Sequence, residues 1–110
     1  MPYDEELAER VRRELRGRHD VVEKKMFGGL GFLLSGNMCV GIWKESLIAR
    51  IGPEAYEQAL ETPHVREFDI TGRPMRGWVM VDPEGLETPE SLQKWLARAV
   101  AFVETLPEKG

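Results

Sequence analysis

The sequence has few of the side chains that form disulfides, bind metal ions or act as nucleophiles: it contains one cysteine and two histidines in 110 residues. Cys39 has no second cysteine with which to form a disulfide, and His19 and His64 lie too far from it to match a zinc-ligand spacing. An activated thiolate needs a nearby cation or a helix N-terminus, and the sequence around Cys39 supplies neither. We therefore predict a buried, unreactive thiol, no metal site and no cofactor.

Long apolar runs and a large excess of charge of one sign are also absent. No run approaches the roughly 20 apolar residues that cross a bilayer, and the first residues are acidic rather than basic and then apolar, as in a signal sequence. With 42% hydrophobic residues, 31% charged residues and a formal net charge of −4, the composition excludes a disordered acidic tail and a strongly basic nucleic-acid protein. The sequence predicts one cytoplasmic domain over residues 1–110, with no membrane segment.

A catalytic constellation is missing as well. Gly28, Gly29 and Gly31 suggest a phosphate loop, but such a loop needs Lys-Ser/Thr after its last glycine or a following helix, and Phe32 continues into an apolar strand. No Ser-His-Asp arrangement can be assembled by spacing, and most carboxylates lie on predicted exposed helix faces. We therefore predict that the protein is not an enzyme and works by contact; a small enzyme or thiol protein is kept as an alternative.

Three segments have the apolar spacing of amphipathic helices. Residues 4–16 repeat apolar side chains every four residues, with acids early and bases late, which suits the helix dipole. A second helix is predicted to open with Pro53 at its first position, where the missing N–H costs nothing. The third begins at the N-cap residue Thr88, followed by Pro89, and carries a broad apolar stripe to Leu106.

Short runs rich in β-branched and aromatic residues predict six strands, over residues 21–27, 30–35, 38–43, 47–51, 65–70 and 77–81. Gly36-Asn37 is predicted to form the centre of a type II′ hairpin turn between two of them. The order of elements is helix, four strands, helix, two strands, helix, without strand-helix alternation. We therefore predict a two-layer α+β fold: an antiparallel sheet of five to six strands with the helices mainly on one face.

A sheet covered on one face leaves its other face to water or to a partner. Phe27, Phe32, Trp43 and Trp78 lie in predicted strands and cannot all be placed under the helices. Because soluble monomers rarely expose large apolar patches, we predict self-association into a homodimer.

Large apolar side chains beside bent backbone make adaptable binding surfaces. Two segments combine these features, and we predict protein contacts at Met26, Phe27, Gly28 and Gly29 in the first and at Gly72, Arg73, Pro74 and Met75 in the second. The alternative, that these residues only close the core, stays open.

A basic arc on the first helix raises a further alternative, direct nucleic-acid binding. Arg12, Arg13 and Arg16 share one side of the helical wheel beside the apolar stripe and are candidates for phosphate contacts. Five acids occupy the same segment, and no recognition helix with base-reading side chains is present. A solvated helix whose charges match its dipole explains the same pattern.

Four segments together carry a family resemblance: KKMFGGLGF at residues 24–32, GNMCVG at 36–41, RIGP at 50–53 and TGRPMRG at 71–77. In this order and spacing they resemble the N-terminal domain of the TfoX/Sxy family of bacterial competence regulators. The resemblance implies a cytoplasmic bacterial protein with a secretion-chaperone-like α+β fold, and it supplies no active-site residues that carry over to this chain. Family members are associated with regulating DNA-uptake genes alongside a cyclic-AMP-dependent activator. The full regulators have a further helical C-terminal domain, whereas this sequence ends after the third predicted helix. We therefore expect a stand-alone regulatory domain whose partner is another regulatory protein.

Overall fold

Three helices and six strands form the chain in a computed structural model, which describes residues 3–26, 28–69 and 72–107. The helices are α1 (Glu5–Glu14), α2 (Tyr56–Leu60) and α3 (Pro89–Val103), and the strands are β1 (Val21–Met26), β2 (Gly29–Leu34), β3 (Asn37–Trp43), β4 (Ser46–Arg50), β5 (Val65–Glu67) and β6 (Trp78–Val81). A 3-10 turn, Pro83–Gly85, precedes α3. None of the helices in the described ranges is long and apolar enough to span a bilayer.

The six strands form one open sheet in the order β1-β2-β3-β4-β6-β5, and every neighbouring pair is antiparallel. β1 and β5 are therefore the two edges. The inserted α2 lets the chain leave β4, form β5 at the outside and return through β6 between them. The predicted α+β class with an antiparallel sheet is confirmed.

All three helices pack on one face of this sheet. Alternate residues of each strand point to that face, so the inner side chains of the central strands meet the apolar stripes of the helices. The core contains these fully buried residues: Ala8 and Val11 of α1, Val40 and Ile42 of β3, Leu47 and Ala49 of β4, Val79 and Val81 of β6, and Ala99 of α3. The prediction that the helices gather on one face is confirmed.

The hairpin between β2 and β3 differs from the prediction. Leu34 pairs with Asn37, so the two turn residues are Ser35 and Gly36, with φ of 50° and 86°. Two successive positive φ values are those of a type I′ turn, whose twist matches that of the strands. The prediction of a type II′ turn centred on Gly36-Asn37 was wrong by one residue, because Asn37 already belongs to the strand ladder.

The helix starts and ends follow local chemistry. At the start of α3, the hydroxyl of Thr88 accepts a hydrogen bond from the Ser91 N–H at 3.1 Å, as expected for an N-cap. α3 ends at Val103, short of the predicted Leu106, and α1 ends at Glu14, which leaves Arg16 outside the helix.

Two further boundaries were wrong. Pro53 lies in a turn before α2, which begins only at Tyr56, so proline does not occupy the first helical position. β5 ends at Glu67 rather than continuing to Ile70, and Ile70 lies outside the described residues.

Candidate interaction surface

The face of the sheet opposite the helices is here called the helix-free face. Strand alternation and the register place these residues on it: Val22, Lys24 and Met26 of β1; Gly29, Gly31 and Leu33 of β2; Met38, Gly41 and Trp43 of β3; Ile48 and Arg50 of β4; Arg66 of β5 with Phe68 beyond its end; and Trp78 and Met80 of β6. Its side chains are largely apolar or basic.

The centre of the helix-free face is covered by its own side chains. Ile48 and Met80 are fully buried there, although no helix lies over them. The ring of Phe68 stacks on Trp78 with the centroids 5.8 Å apart, and Trp43 and Trp78 are only partly exposed. The aromatic residues therefore form a second, smaller core. Phe32 of the same predicted group lies under the helices, and Phe27 lies outside the described residues.

Two methionines lie over a glycine at the β1 side of this face. A Cβ added to Gly31 would lie 2.9 Å from Sδ of Met26 and 3.1 Å from Sδ of Met38. The missing side chain of Gly31 thus lets both thioethers settle on the strand backbone, where both residues are half-buried. Flexible thioether side chains can repack against different apolar surfaces, which makes this the most adaptable part of the helix-free face.

Met26 is among the predicted contact residues, whereas Met38 is not. The register of β3 against β2 shifts between Phe32 and Leu33, which makes Cys39 an extra residue in β3. Cys39 and Val40 consequently both contribute to the core under the helices. A strict alternation counted back from Val40 would place Met38 on the helix side, so only the structure reveals its true face.

The two predicted contact segments lie at diagonally opposite corners of the sheet. Met26 pairs with Gly29 at the β1–β2 turn, in which Gly28 has a φ of 76°. Residues 72–75 are exposed in the connection from the end of β5 to the start of β6, at the far end of the sheet and near its other edge. Met75 is 37% exposed there. The structure therefore does not join the two segments into one surface.

Cations lie against the aromatic rings of the helix-free face. The Lys44 ammonium lies 4.6 Å from the Trp43 ring centre, and the Arg50 guanidinium lies 5.0 Å from that of Trp78. Partial burial lowers the pKa of Arg50. Because Trp78 has Arg50 and Phe68 as ring neighbours, it offers little ring surface for stacking a base.

Charge on this face is mainly positive. Arg66 is balanced by Asp82, with Nε 3.0 Å from the carboxylate, and the Ser46 hydroxyl donates to the same carboxylate at 2.9 Å. Lys24 and Arg50 have no acidic ion-pair partner among the described residues. The face therefore suits an acidic or apolar partner, whereas the whole chain carries a net charge of −4.

The basic arc of α1 is partly neutralised within the chain. Arg12 donates to Glu23 through Nε at 2.7 Å and Nη2 at 2.8 Å, and to Glu9 through Nη1 at 2.7 Å. The hydrogen bonds from Arg12 lower the pKa of Glu23. Arg13 and Arg16 are exposed and belong to no ion pair of the described residues. Two of the three predicted phosphate-binding candidates are thus available.

The environment of Cys39 does not favour nucleophilic chemistry. The residue is 3% exposed and borders an apolar crevice together with Leu15, Phe32 and Val100. Burial raises the pKa of the Cys39 thiol to about 12, so almost no thiolate exists near neutral pH.

A separate groove of about 580 Å³ lies between the segment around α2 and the second half of α3. Its apolar lining includes Ile51, Ala59 and Phe102, and Glu54 and Arg98 supply opposite charges. No sequence motif predicts this groove, because its lining combines residues from segments about forty positions apart whose meeting depends on the tertiary fold.

A family model described as the TfoX N-terminal domain matches residues 13–103 of the chain. This range includes β1 to β6, α2 and all of α3, together with the last residues of α1, Arg13 and Glu14. No curated protein and no solved structure gives a significant match.

Proposed function

Because the chain belongs to the TfoX N-terminal domain family, we propose that it is a non-enzymatic regulatory domain of the competence type, which acts in the cytoplasm by binding another regulatory protein. Members of this family are regulators, and that coarse role is what membership supplies. We further propose which surface binds this protein and which class of protein it is.

The observation that carries the proposal is the pair of methionines over Gly31. Met26 and Met38 are half-buried, no helix covers them, and both thioethers occupy the space that the absent side chain of Gly31 leaves. A surface of this kind gains affinity by repacking against an apolar anchor of the partner. We propose that the partner docks at this corner of the helix-free face.

The positive charge near Met26 indicates the kind of partner that would bind there. Lys24 lies on the same strand and face as Met26 and is exposed. An acidic rim around an apolar anchor would complement it, and such complementarity contributes chiefly to association rate and specificity. A transcription activator of the cyclic-AMP-dependent type, with which the family resemblance associates this domain, is the partner to test.

The two methionine corners provide a matched experiment. We expect Met26→Glu to weaken binding of the purified activator by about tenfold or more, since a carboxylate would be buried against the apolar anchor. Met75→Glu makes the same chemical change at the opposite corner and should leave the affinity unchanged. Titration of the labelled domain by fluorescence anisotropy measures both, and thermal melts confirm that each variant is folded.

Two results would contradict this proposal. Equal affinity of both variants would move the docking surface away from Met26. Failure of the wild-type domain to bind the activator, with and without the activator's DNA site, would exclude this class of partner.

A further inference from the structure

β1 is an edge strand with an open side. It pairs with β2 over all six residues in an unbroken register, and no other described strand lies beside it. Glu23, Lys24 and Lys25 are exposed, and Val22 is 61% exposed. A regular, six-residue edge of this kind can pair with a strand of another chain.

The hydrogen-bond pattern tells which backbone groups face outward. The Ser35 N–H donates to the Asp20 carbonyl at 2.9 Å, which makes Asp20 and Ser35 a hydrogen-bonded pair. In an antiparallel ladder such pairs alternate, so Val22, Lys24 and Met26 direct their N–H and C=O groups to β2. The backbone groups of Val21, Glu23 and Lys25 therefore point away from the sheet.

The side chains of β1 are complementary to themselves about Lys24. We propose that β1 pairs antiparallel with β1 of a second copy, with the two-fold axis beside Lys24, so that the two sheets become continuous. In this register Glu23 of each copy, whose carboxylate also accepts hydrogen bonds from Arg12 of its own chain, faces Lys25 of the other on the helix side. Val22 of each copy faces Met26 of the other, on the helix-free face.

Neighbouring registers lack this complementarity. A pairing centred on Glu23 would bring two carboxylates together and place Val22 opposite Lys24. The Lys24-centred register leaves one unfavourable pair, Lys24 against itself. Cross-strand pairs of opposite charge and apolar pairs each stabilise a sheet modestly, whereas like charges directly opposite destabilise it. Four favourable pairs against one unfavourable pair predict a reversible dimer that depends on concentration.

This dimer does not depend on the proposed regulatory function. It forms along the β1 edge and needs no other protein, although its Val22–Met26 pairs include a residue of the proposed docking corner; the Lys25 and Glu23 variants below leave Met26 unchanged. It also assigns the predicted homodimer to a specific strand.

The test reverses the charge of one residue at a time and then mixes the two variants. Sedimentation velocity over a concentration series measures the dimer dissociation constant. Lys25→Glu and Glu23→Lys should each raise the dimer dissociation constant about tenfold or more, because two attractive pairs become repulsive. An equimolar mixture of the two variants should recover the dimer, since every Glu then faces a Lys. Lys94→Glu, the same charge change on α3, should leave the dissociation constant unchanged.

A second variant tests the backbone without changing the Glu23 side chain. Lys25→Pro removes the Lys25 ammonium and an outward-facing N–H but leaves the N–H donors to β2 in place, so it should reduce dimerisation more than Lys25→Ala, which removes the ammonium without the N–H. A wild-type protein that stays monomeric overturns the proposal. So does a dimer that survives Lys25→Glu and Lys25→Pro, or two variants that fail to associate on mixing although both melt cooperatively.

Discussion

Gly52 lies directly against the ring of Phe102, so that an added Cβ would be 2.5 Å from Cδ1 of the ring. Gly52 also has a φ of 92°, and its N–H donates to the carbonyl of Gly77 at 3.1 Å. The end of β4, the start of β6 and the last turns of α3 are therefore brought together around one glycine. The Arg50 guanidinium also lies 5.7 Å from the centre of the Phe102 ring.

We expect Gly52→Ala to destabilise the fold by more than its backbone strain alone. A non-glycine residue at positive φ costs on the order of 1–2 kcal/mol, and displacement of the Phe102 ring adds to that cost. Gly72→Ala is the matched control, because Gly72 has a φ of 97° but nothing within 4 Å of its Cβ position. Urea unfolding should place Gly52→Ala below Gly72→Ala in stability, and equal losses would contradict the packing argument.

Cys39 should make the protein lose stability at alkaline pH. Burial raises the pKa of its thiol from 9.0 to about 12. Above pH 9 the unfolded chain loses this proton while the folded chain keeps it, so the stabilisation is complete below pH 9 and decreases as the pH rises towards 12.

The size of this effect is at most about 1.4 kcal/mol per pH unit. Urea unfolding of the wild type and of Cys39→Ala between about pH 8 and about pH 11 isolates the contribution of the thiol, because every other titratable group is the same in both proteins. We expect the wild-type stability to fall more steeply with pH. Parallel curves, or rapid labelling of the folded thiol at neutral pH, would contradict the burial argument.

The extent to which the fold could be predicted depended on the range of the interactions involved. Thr88 and Pro89 define the start of α3 by local hydrogen bonding, and they were assigned correctly. Pro53 was misplaced because the preference of proline for the first helical position does not require a helix to follow. The Ser35-Gly36 turn could not be chosen over Gly36-Asn37 without the pairing of Leu34 with Asn37.

The surface was harder to predict than the fold. The bulge at Cys39 changes the face of Met38, and the corners occupied by Met26 and Met75 follow from the strand order rather than from either segment. The Arg12–Glu23 ion pair joins α1 to β1, and the helical wheel that grouped Arg12 with Arg13 and Arg16 contains no information about it.

The Arg12–Glu23 ion pair should give a small stabilisation that disappears in acid. The pKa of Glu23 lies below its ordinary value of 4.5 because Arg12 donates to the carboxylate. The stabilisation is present above pH 4.5 and is lost as the pH falls through the lowered pKa. Because both side chains are about one third exposed, solvent screening limits the effect to about 1 kcal/mol or less.

Comparison of Arg12→Ala with the wild type measures this contribution together with that of the Arg12–Glu9 ion pair. We expect the difference in the free energy of unfolding to be present at pH 7, to decrease progressively as the pH falls below 4.5, and to shrink in high salt at pH 7. Arg13→Ala, whose side chain is in no described ion pair, is the matched control and should show no such pH dependence. A difference that does not decrease as the pH is lowered below 4.5 would mean that Arg12 acts through packing of its stem.

The same arginines separate protein contact from nucleic-acid contact. We predict no retention of duplex DNA at physiological ionic strength, because Arg12 is engaged by Glu9 and Glu23 and the remaining candidates, Arg13 and Arg16, are too few for stable phosphate binding. Gel-shift and anisotropy titrations over a salt series test this with the wild type, Arg12→Ala, Arg13→Ala and Arg16→Ala. Binding that weakens steeply with salt and is lost in Arg13→Ala and Arg16→Ala would establish direct DNA recognition instead. Binding that is lost only in Arg12→Ala would show that DNA displaces Glu23 from its ion pair.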